Sequence, residues 1–350
     1  MANIKELEFA IGRIKQANLT TRVADASLVG MRLRGADISR VPLGKETDIN
    51  EIGAGNEFAT QAYATAWDSS RPVSKYLTSE WAAIAWAFAM GNVVTTSAGS
   101  GYKHTITLQA GNGANENNLP ATTICERIRT GADAVLSRDL LGCVFNSVTL
   151  QLGTAPTRES ATLDAELVGT GQFVKPTGVS SWPAVLTENF LPAGAATVTL
   201  LGNNYTTLKT LFSFNLSLNN ALRQDTAYFP GSGTQAAGAQ SAAIKGRMEY
   251  GDERGITASI RARLTKDSPE YAAMVAMTEG TLVVNVTGAQ IGGGPEVHRM
   301  QITLHRVQIG TIQEADTSRI VDVSVPIEVF KHASNGVMTV EVWNTLAAVA

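Results

Sequence analysis

The chain is poor in charge. Lys, Arg, Asp and Glu make up 17% of its 350 residues, against the roughly 25% usual in soluble domains. The balance is mildly acidic, with a net charge of −3, so the clustered basic surface that grips phosphate backbones is not expected. Cysteine is scarcer still. Cys125 and Cys143 are the whole complement, which excludes a framework of several disulfides and a four-cysteine metal site, and two reduced thiols are expected. The four histidines, His104, His298, His305 and His332, carry no His-Glu-x-x-His or Cys-x-x-Cys spacing, so a zinc site has no motif behind it. His298 and His305 would fall on opposite faces of one strand, and the histidines are expected to face solvent. No uncharged apolar run approaches the ~18 residues of a spanning helix. Lys5, Glu6 and Glu8 interrupt the opening where a signal peptide needs an unbroken apolar stretch. Synthesis in the cytoplasm without a membrane anchor is the expectation, and the sequons at Asn18, Asn204, Asn215 and Asn285 are read as chance.

Catalytic signatures are also missing. The chain has no Gly-x-Ser-x-Gly elbow, no Walker loop and no strand-coupled Gly-x-Gly-x-x-Gly. Gly292-Gly293-Gly294 runs into Pro295 between two strand candidates and reads as a hairpin loop. Asp252-Glu253-Arg254-Gly255 reads as a turn. Asp164 and Glu166 share one strand face at a separation that serves hydrolysis in other proteins, but a solvated face accounts for them. No enzyme activity, metal or cofactor is expected.

What is present is period-two alternation, which puts every second side chain on one face of a strand. Val148-Thr149-Leu150-Gln151-Leu152 and Thr162-Leu163-Asp164-Ala165-Glu166-Leu167 flank a turn-like segment and read as a hairpin. The pattern returns at Phe212 to Leu218, Ile256 to Leu264, Met300 to Leu304, Val321 to Val329 and Met338 to Val342. One dry face and one wet face indicate antiparallel sheets packed as a sandwich or barrel. Two segments read as helices. One runs from Thr78 to Met90, with Trp81, Ile84, Ala85 and Phe88 at helical spacing and Gly91 as the stop. The other opens at Asp267-Ser268-Pro269-Glu270 and ends at Gly280. Ile4 to Ile14 fits a helix, a strand or an arm.

Strand, long loop, helix and strands thus recur in similar order. The fold expected is mainly β, in two tandem sandwich or barrel units with one short helix each: residues 1–24 as an N-terminal arm, 25–205 as the first unit, 206–350 as the second. The loops ahead of the two helices, Gly44 to Arg71 and Asp225 to Ala243, are too long and too polar for a core and are candidates for contacts between subunits.

Three segments carry a family resemblance: Ala10-Ile11-Gly12-Arg13-Ile14-Lys15-Gln16; Phe145-Asn146-Ser147-Val148-Thr149-Leu150-Gln151-Leu152 leading to Ala165-Glu166-Leu167-Val168-Gly169-Thr170-Gly171; and Phe212-Ser213-Phe214-Asn215-Leu216-Ser217-Leu218-Asn219-Asn220. They resemble the tail tube proteins of long-tailed bacteriophages, over most of the chain from about Asp25. The resemblance implies subunits whose sheets join edge to edge into rings, rings stacked by a long loop and terminal arms, and a lumen that passes DNA without binding it. Partners would be further copies of the chain and the tape measure, terminator and baseplate proteins of a virion tail. Two units per chain would close a pseudo-sixfold ring from three chains. Candidate inter-ring residues are Asn56, Glu57, Phe58, Tyr228, Phe229, Pro230, Gly231, Gln235 and Gln240; candidate lumen residues are Asp164, Glu166 and Glu249.

Two other readings stay open. A baseplate, tail terminator or capsid decoration protein would share the strands without forming long tubes. A carbohydrate-binding or hydrolytic β protein would use Trp67, Trp81, Trp86, Trp182 and Trp343 as a platform, but Trp81 and Trp86 fall on the helix candidate and the others are scattered.

Overall fold

The computed structural model describes residues 5–35, 39–40, 43–47, 62–109, 119–130, 133–153, 160–174, 182–205, 211–223, 249–250, 254–263, 269–317 and 320–350. They are mainly β. In chain order, β1 (Lys5–Gly12), β2 (Leu28–Met31), β3 (Leu43–Thr47), β4 (Ala62–Trp67) and β5 (Ser69–Val73) lead to helix α1 (Ser79–Met90). A hairpin, β6 (Gly91–Ala98) and β7 (Gly101–Leu108), follows at once, then β8 (Thr122–Thr130), the long β9 (Asp133–Leu152), β10 (Thr162–Gly169), β11 (Phe173–Val174), β12 (Ala196–Leu200) and β13 (Asn203–Asn204). Next come β14 (Leu211–Asn219), β15 (Leu222–Arg223), β16 (Glu249–Tyr250), β17 (Gly255–Arg263) and helix α2 (Pro269–Val275). A second hairpin, β18 (Gly280–Gln290) and β19 (Val297–Ile309), precedes β20 (Gln313–Thr317), β21 (Ile320–Val329) and β22 (Met338–Asn344).

Eighteen strands join one connected sheet, while β3–β4 and β15–β16 form separate pairs. One limb runs β6–β7–β22–β19–β18–β12. Another runs β5–β10–β9–β14–β17–β21 and meets the first where β21 pairs with the end of β19. The alternation legible in the sequence becomes register here. Val93, Ile106, Val340, Ile302, Val284 and Val198 align across six strands on the dry face; Val93 at the edge is partly buried, and full burial stabilises each of the others by about 1.5–3 kcal/mol. The neighbouring row, Val94, Thr105, Glu341, Gln301, Asn285 and Thr197, takes the wet face. Three pairings cross from one side of residue 205 to the other: β9–β14, β12–β18 and β7–β22.

β9 serves two sheets. Its first half pairs with β8, which also pairs with β1, and its second half pairs with β10 and β14. The change of direction falls at Gly142, whose φ is +61°. A Cβ there would meet Thr170 Cγ2 at 2.4 Å and the Leu19 carbonyl at 2.7 Å, so only glycine fits. Residues 5–12, open to three readings in the sequence, are the strand between β2 and β8.

α1 occupies the space between the limbs and touches β9, β10, β22, β7, β6 and β19. All twelve residues from Ser79 to Met90 are buried. An amphipathic helix was the expectation, but Ala, Trp, Phe, Ile and Met cover every side of this one, which suits a helix walled in all round. The Thr78 hydroxyl accepts from Trp81 N at its start, and Gly91 closes it at φ +91°. Trp81 donates its ring N–H to the Leu163 carbonyl at 2.8 Å, and Phe88 stacks on Phe145 at 5.9 Å between centroids. No helix among the described residues is long and apolar enough to cross a membrane.

Candidate functional site

A sheet ends in backbone N–H and C=O groups that need partners, and folded chains blunt such edges with charge, proline or a covering segment. Three edges here are blunted. β5 carries Arg71 and Pro72, and Ser70 exchanges backbone hydrogen bonds with Arg40 on its outer side. β20 carries Glu314 and Asp316. β2 is covered by residues 184–186, with Gly30 N donating to the Ala184 carbonyl and Leu186 N to the Gly30 carbonyl. β6 differs. Its sequence, Gly-Asn-Val-Val-Thr-Thr-Ser-Ala, has neither charge nor proline, and β7 is its one strand partner among the described residues. Val94 stands 58% exposed on it.

Behind this open edge lies a chain of buried polar groups. Thr95 on β6 meets His104 Nδ1 at 2.9 Å, and His104 Nε2 meets Asn344 Oδ1 at 3.1 Å. Asn344 Oδ1 also accepts from Leu346 N, while its Nδ2 donates to the Ser79 carbonyl. The Asn344 oxygen is therefore the acceptor on both sides, which places the His104 proton on Nε2 and leaves Nδ1 to accept from the Thr95 hydroxyl. The Ser79 hydroxyl meets His298 Nδ1 at 2.8 Å, and Glu80 Oε1 lies 3.6 Å from the same nitrogen. Glu80 accepts from Asn189 N at 2.9 Å and Asn189 Nδ2 at 2.8 Å. His104 and His298 are 0% and 3% exposed, not at the solvent as expected, because the first turn of α1 supplies polar partners inside the core. Burial pushes both imidazoles below their ordinary range; Glu80 opposes this at His298.

Ser79, His298 and Glu80 have the composition of a hydrolytic triad but not its geometry. A triad sets nucleophile and carboxylate on opposite ring nitrogens, so that the proton taken from one side is balanced from the other. Here both meet Nδ1, and Ser79 is fully buried in the first turn of α1. The arrangement locks a helix end and does not activate a nucleophile.

The remaining buried charges are also structural. Glu126 accepts from Ser39 N and Oγ and pairs with Arg71 and Arg138, both at 3.2 Å. Lys75 donates to Glu188 and to the Arg32 carbonyl, and burial lowers its pKa while Glu188 opposes. Burial pushes the Cys143 thiol up to about 12 and raises Cys125 too, with Asp139 adding to the effect at Cys125; neither is a ready nucleophile. Among the described residues no three His, Cys, Asp or Glu side chains converge as a metal site. An open cleft of about 1080 Å³ beside the start of β6 is lined by Gln16, Asn18, Asn92 and Gln109, with Lys15 its one charged side chain among the described residues.

Asp164 and Glu166 do share the outer face of β10, opposite Thr149 and Ser147. Asp164 is half-buried and accepts from Ser74 Oγ at 2.8 Å and Lys75 N at 3.3 Å, which pins the segment leading into α1; Glu166 is exposed. Glu249 lies apart from them, on β16 opposite Arg223, in a separate pair of strands. Asn56, Glu57, Phe58, Tyr228, Phe229, Pro230, Gly231, Gln235 and Gln240 fall outside the described residues. The β6 edge was not singled out from the sequence, although its signal is there: no charged residue occurs from Gly91 to Tyr102. Neither a family model nor a curated protein matches the chain.

Proposed function

We propose that the chain is a structural virion protein that polymerises into stacked rings and forms a phage tail tube, the conduit for DNA ejection. The observation that carries this reading is the β6 edge, eight residues long, uncharged and without a partner strand on its outer side among the described residues. Such an edge is a template for another strand, and its chemistry selects an extended backbone rather than a small molecule. Subunits added through it by a closing rotation make a ring. The two tandem units expected from the sequence would let three chains complete a pseudo-sixfold ring, assembled in the host cytoplasm and joined in the tail by tape measure, terminator and baseplate proteins. A mildly acidic chain suits a lumen that lets phosphate pass.

Negative-stain microscopy of the purified protein tests this directly. Tubes with an axial hole and three chains per ring are expected; six chains per ring would remove the trimer, and closed rings that never stack would favour a terminator or baseplate protein. Val94→Lys places a charge on the outer face of the edge strand. It is expected to change stability by no more than about 0.5 kcal/mol, as exposed substitutions do, and to leave soluble subunits by sedimentation in place of tubes.

A further inference from the structure

We propose that Thr95, His104, Asn344, Ser79 and His298 form an uncharged relay that fastens the open edge strand to the first turn of α1, and that proton uptake at His104 unfastens both. The links run without a gap: Thr95 to His104 at 2.9 Å, His104 to Asn344 at 3.1 Å, Asn344 to Ser79 at 3.2 Å, and Ser79 to His298 at 2.8 Å. The two links at His104 are set by its tautomer, while Asn344 reaches the Ser79 carbonyl and the Ser79 hydroxyl reaches His298. With Nε2 protonated, His104 donates to Asn344, so Nδ1 is the lone pair on which the Thr95 hydroxyl of β6 rests. A second proton on Nδ1 removes that lone pair, forces the hydroxyl to reverse, and creates a cation at a fully buried site.

Among the described residues, the surroundings supply no compensating charge at His104. β6 has no ionisable residue. Its own strand carries Tyr102 and Lys103, and Lys103 pairs with Glu341 of β22, one residue off the register position of His104 opposite Val342. α1 contributes only Glu80, which is occupied by Asn189 and sits against His298. From β19 come His298 and Arg299, the latter stacked 3.6 Å over Trp343. His298 sits against the first turn of α1, where it meets Ser79 and where the N-terminal dipole opposes a cation, but Glu80 offsets this in part. His104 is therefore the sensor and His298 the far anchor.

The sign follows from linkage. Both imidazoles are depressed in the fold, so their contribution is intact above about pH 6.5, the value of a free histidine, and is lost as pH falls below it. Between pH 7.5 and pH 5, a histidine that stays neutral in the fold shifts its opening equilibrium by up to about 30-fold. The consequence for assembly rests on the reading of β6 as a subunit contact; the relay itself does not.

Hydrogen exchange at pH 7.5 and pH 5, corrected for the intrinsic rate, tests it on wild type and on His104→Gln, which keeps a donor for Asn344 but cannot titrate. Wild type is expected to lose roughly ten-fold or more protection across residues 79–108 at pH 5, and the variant to lose little. Equal loss in both, or no loss in wild type, overturns the proposal. Should the variant fail to fold, imidazole ¹⁵N spectra of the wild type decide: His104 neutral in the folded protein at pH 5 supports the relay, and a folded imidazolium overturns it. Light scattering of the same samples separates the two claims. Acid loosening of β6 with particles intact supports the relay and counts against β6 as the subunit contact.

Discussion

α1 and α2 each lead into a hairpin, yet they live in opposite surroundings. α1 has no exposed residue over twelve. α2 has seven residues, of which only Glu270 is buried; Val275 at its end and Met277 beyond it stand 79% and 74% exposed. Both obey the same local rules, with a proline or a hydroxyl at the start and a left-handed residue near the end. What separates them is the composition of the side turned away from the sheet. Trp, Phe and Met occupy every flank of α1 and demand walls, whereas α2 needs one face and finds it on β19. A helix of this kind is therefore a core element or a surface element according to how many of its flanks are apolar, not according to its place in the order of the chain.

The comparison is broken most strongly by Trp81→Ala. It empties a fully buried site and removes the hydrogen bond to the Leu163 carbonyl, so a loss of about 3–5 kcal/mol is expected in urea unfolding; a loss below ~1 kcal/mol would mean that α1 is not the centre of the core. The tie that holds α2 is smaller and of opposite pH sense. Tyr205 donates to Glu270 at 2.7 Å, and burial, reinforced by that carboxylate, raises the phenol above its ordinary range. A phenol raised in the fold contributes fully below about pH 10 and less as pH climbs past it. Alkali is thus expected to loosen α2 where acid loosens α1. Tyr205→Phe should cost about 1–3 kcal/mol near neutrality, by leaving Glu270 short of a partner, and should flatten stability above pH 10 in an alkaline titration followed by circular dichroism. The smallest effect is expected at Met277, which holds a φ of +48° just past α2. Met277→Gly relieves that conformation and should raise stability by about 0.5 kcal/mol, readable as a rise in Tm.

Much of the fold was legible because alternation and packing agree. The strands read at 148–152, 162–167, 300–304 and 338–342 lie within β9, β10, β19 and β22. α1 was legible through Thr78 and Gly91. Its complete burial was not, since a helical period marks one stripe and says nothing of a helix whose other stripes are Ala and Trp. The first half of β9 escaped because Arg138, Asp139 and Gly142 interrupt its alternation; the two charges are satisfied by Glu126, opposite Arg138 on β8, and by Arg22, far away in sequence. The buried histidines escaped for the same reason. A histidine on a strand faces water by default, and only the docking of α1's first turn against Asn344 and His298 makes the interior hospitable. The edge at β6 is a property of what is missing beside a strand, and one-dimensional patterns do not register absences in space.

β9 draws together what these contrasts separate. Because its two halves serve different sheets, the sheets are coupled by covalent bonds along one strand as well as by side chains that meet between them, such as Arg71 and Glu126. Strain entering one sheet therefore has a covalent path into the other. The bend at Gly142 is the point at which that covalent path changes partner strands.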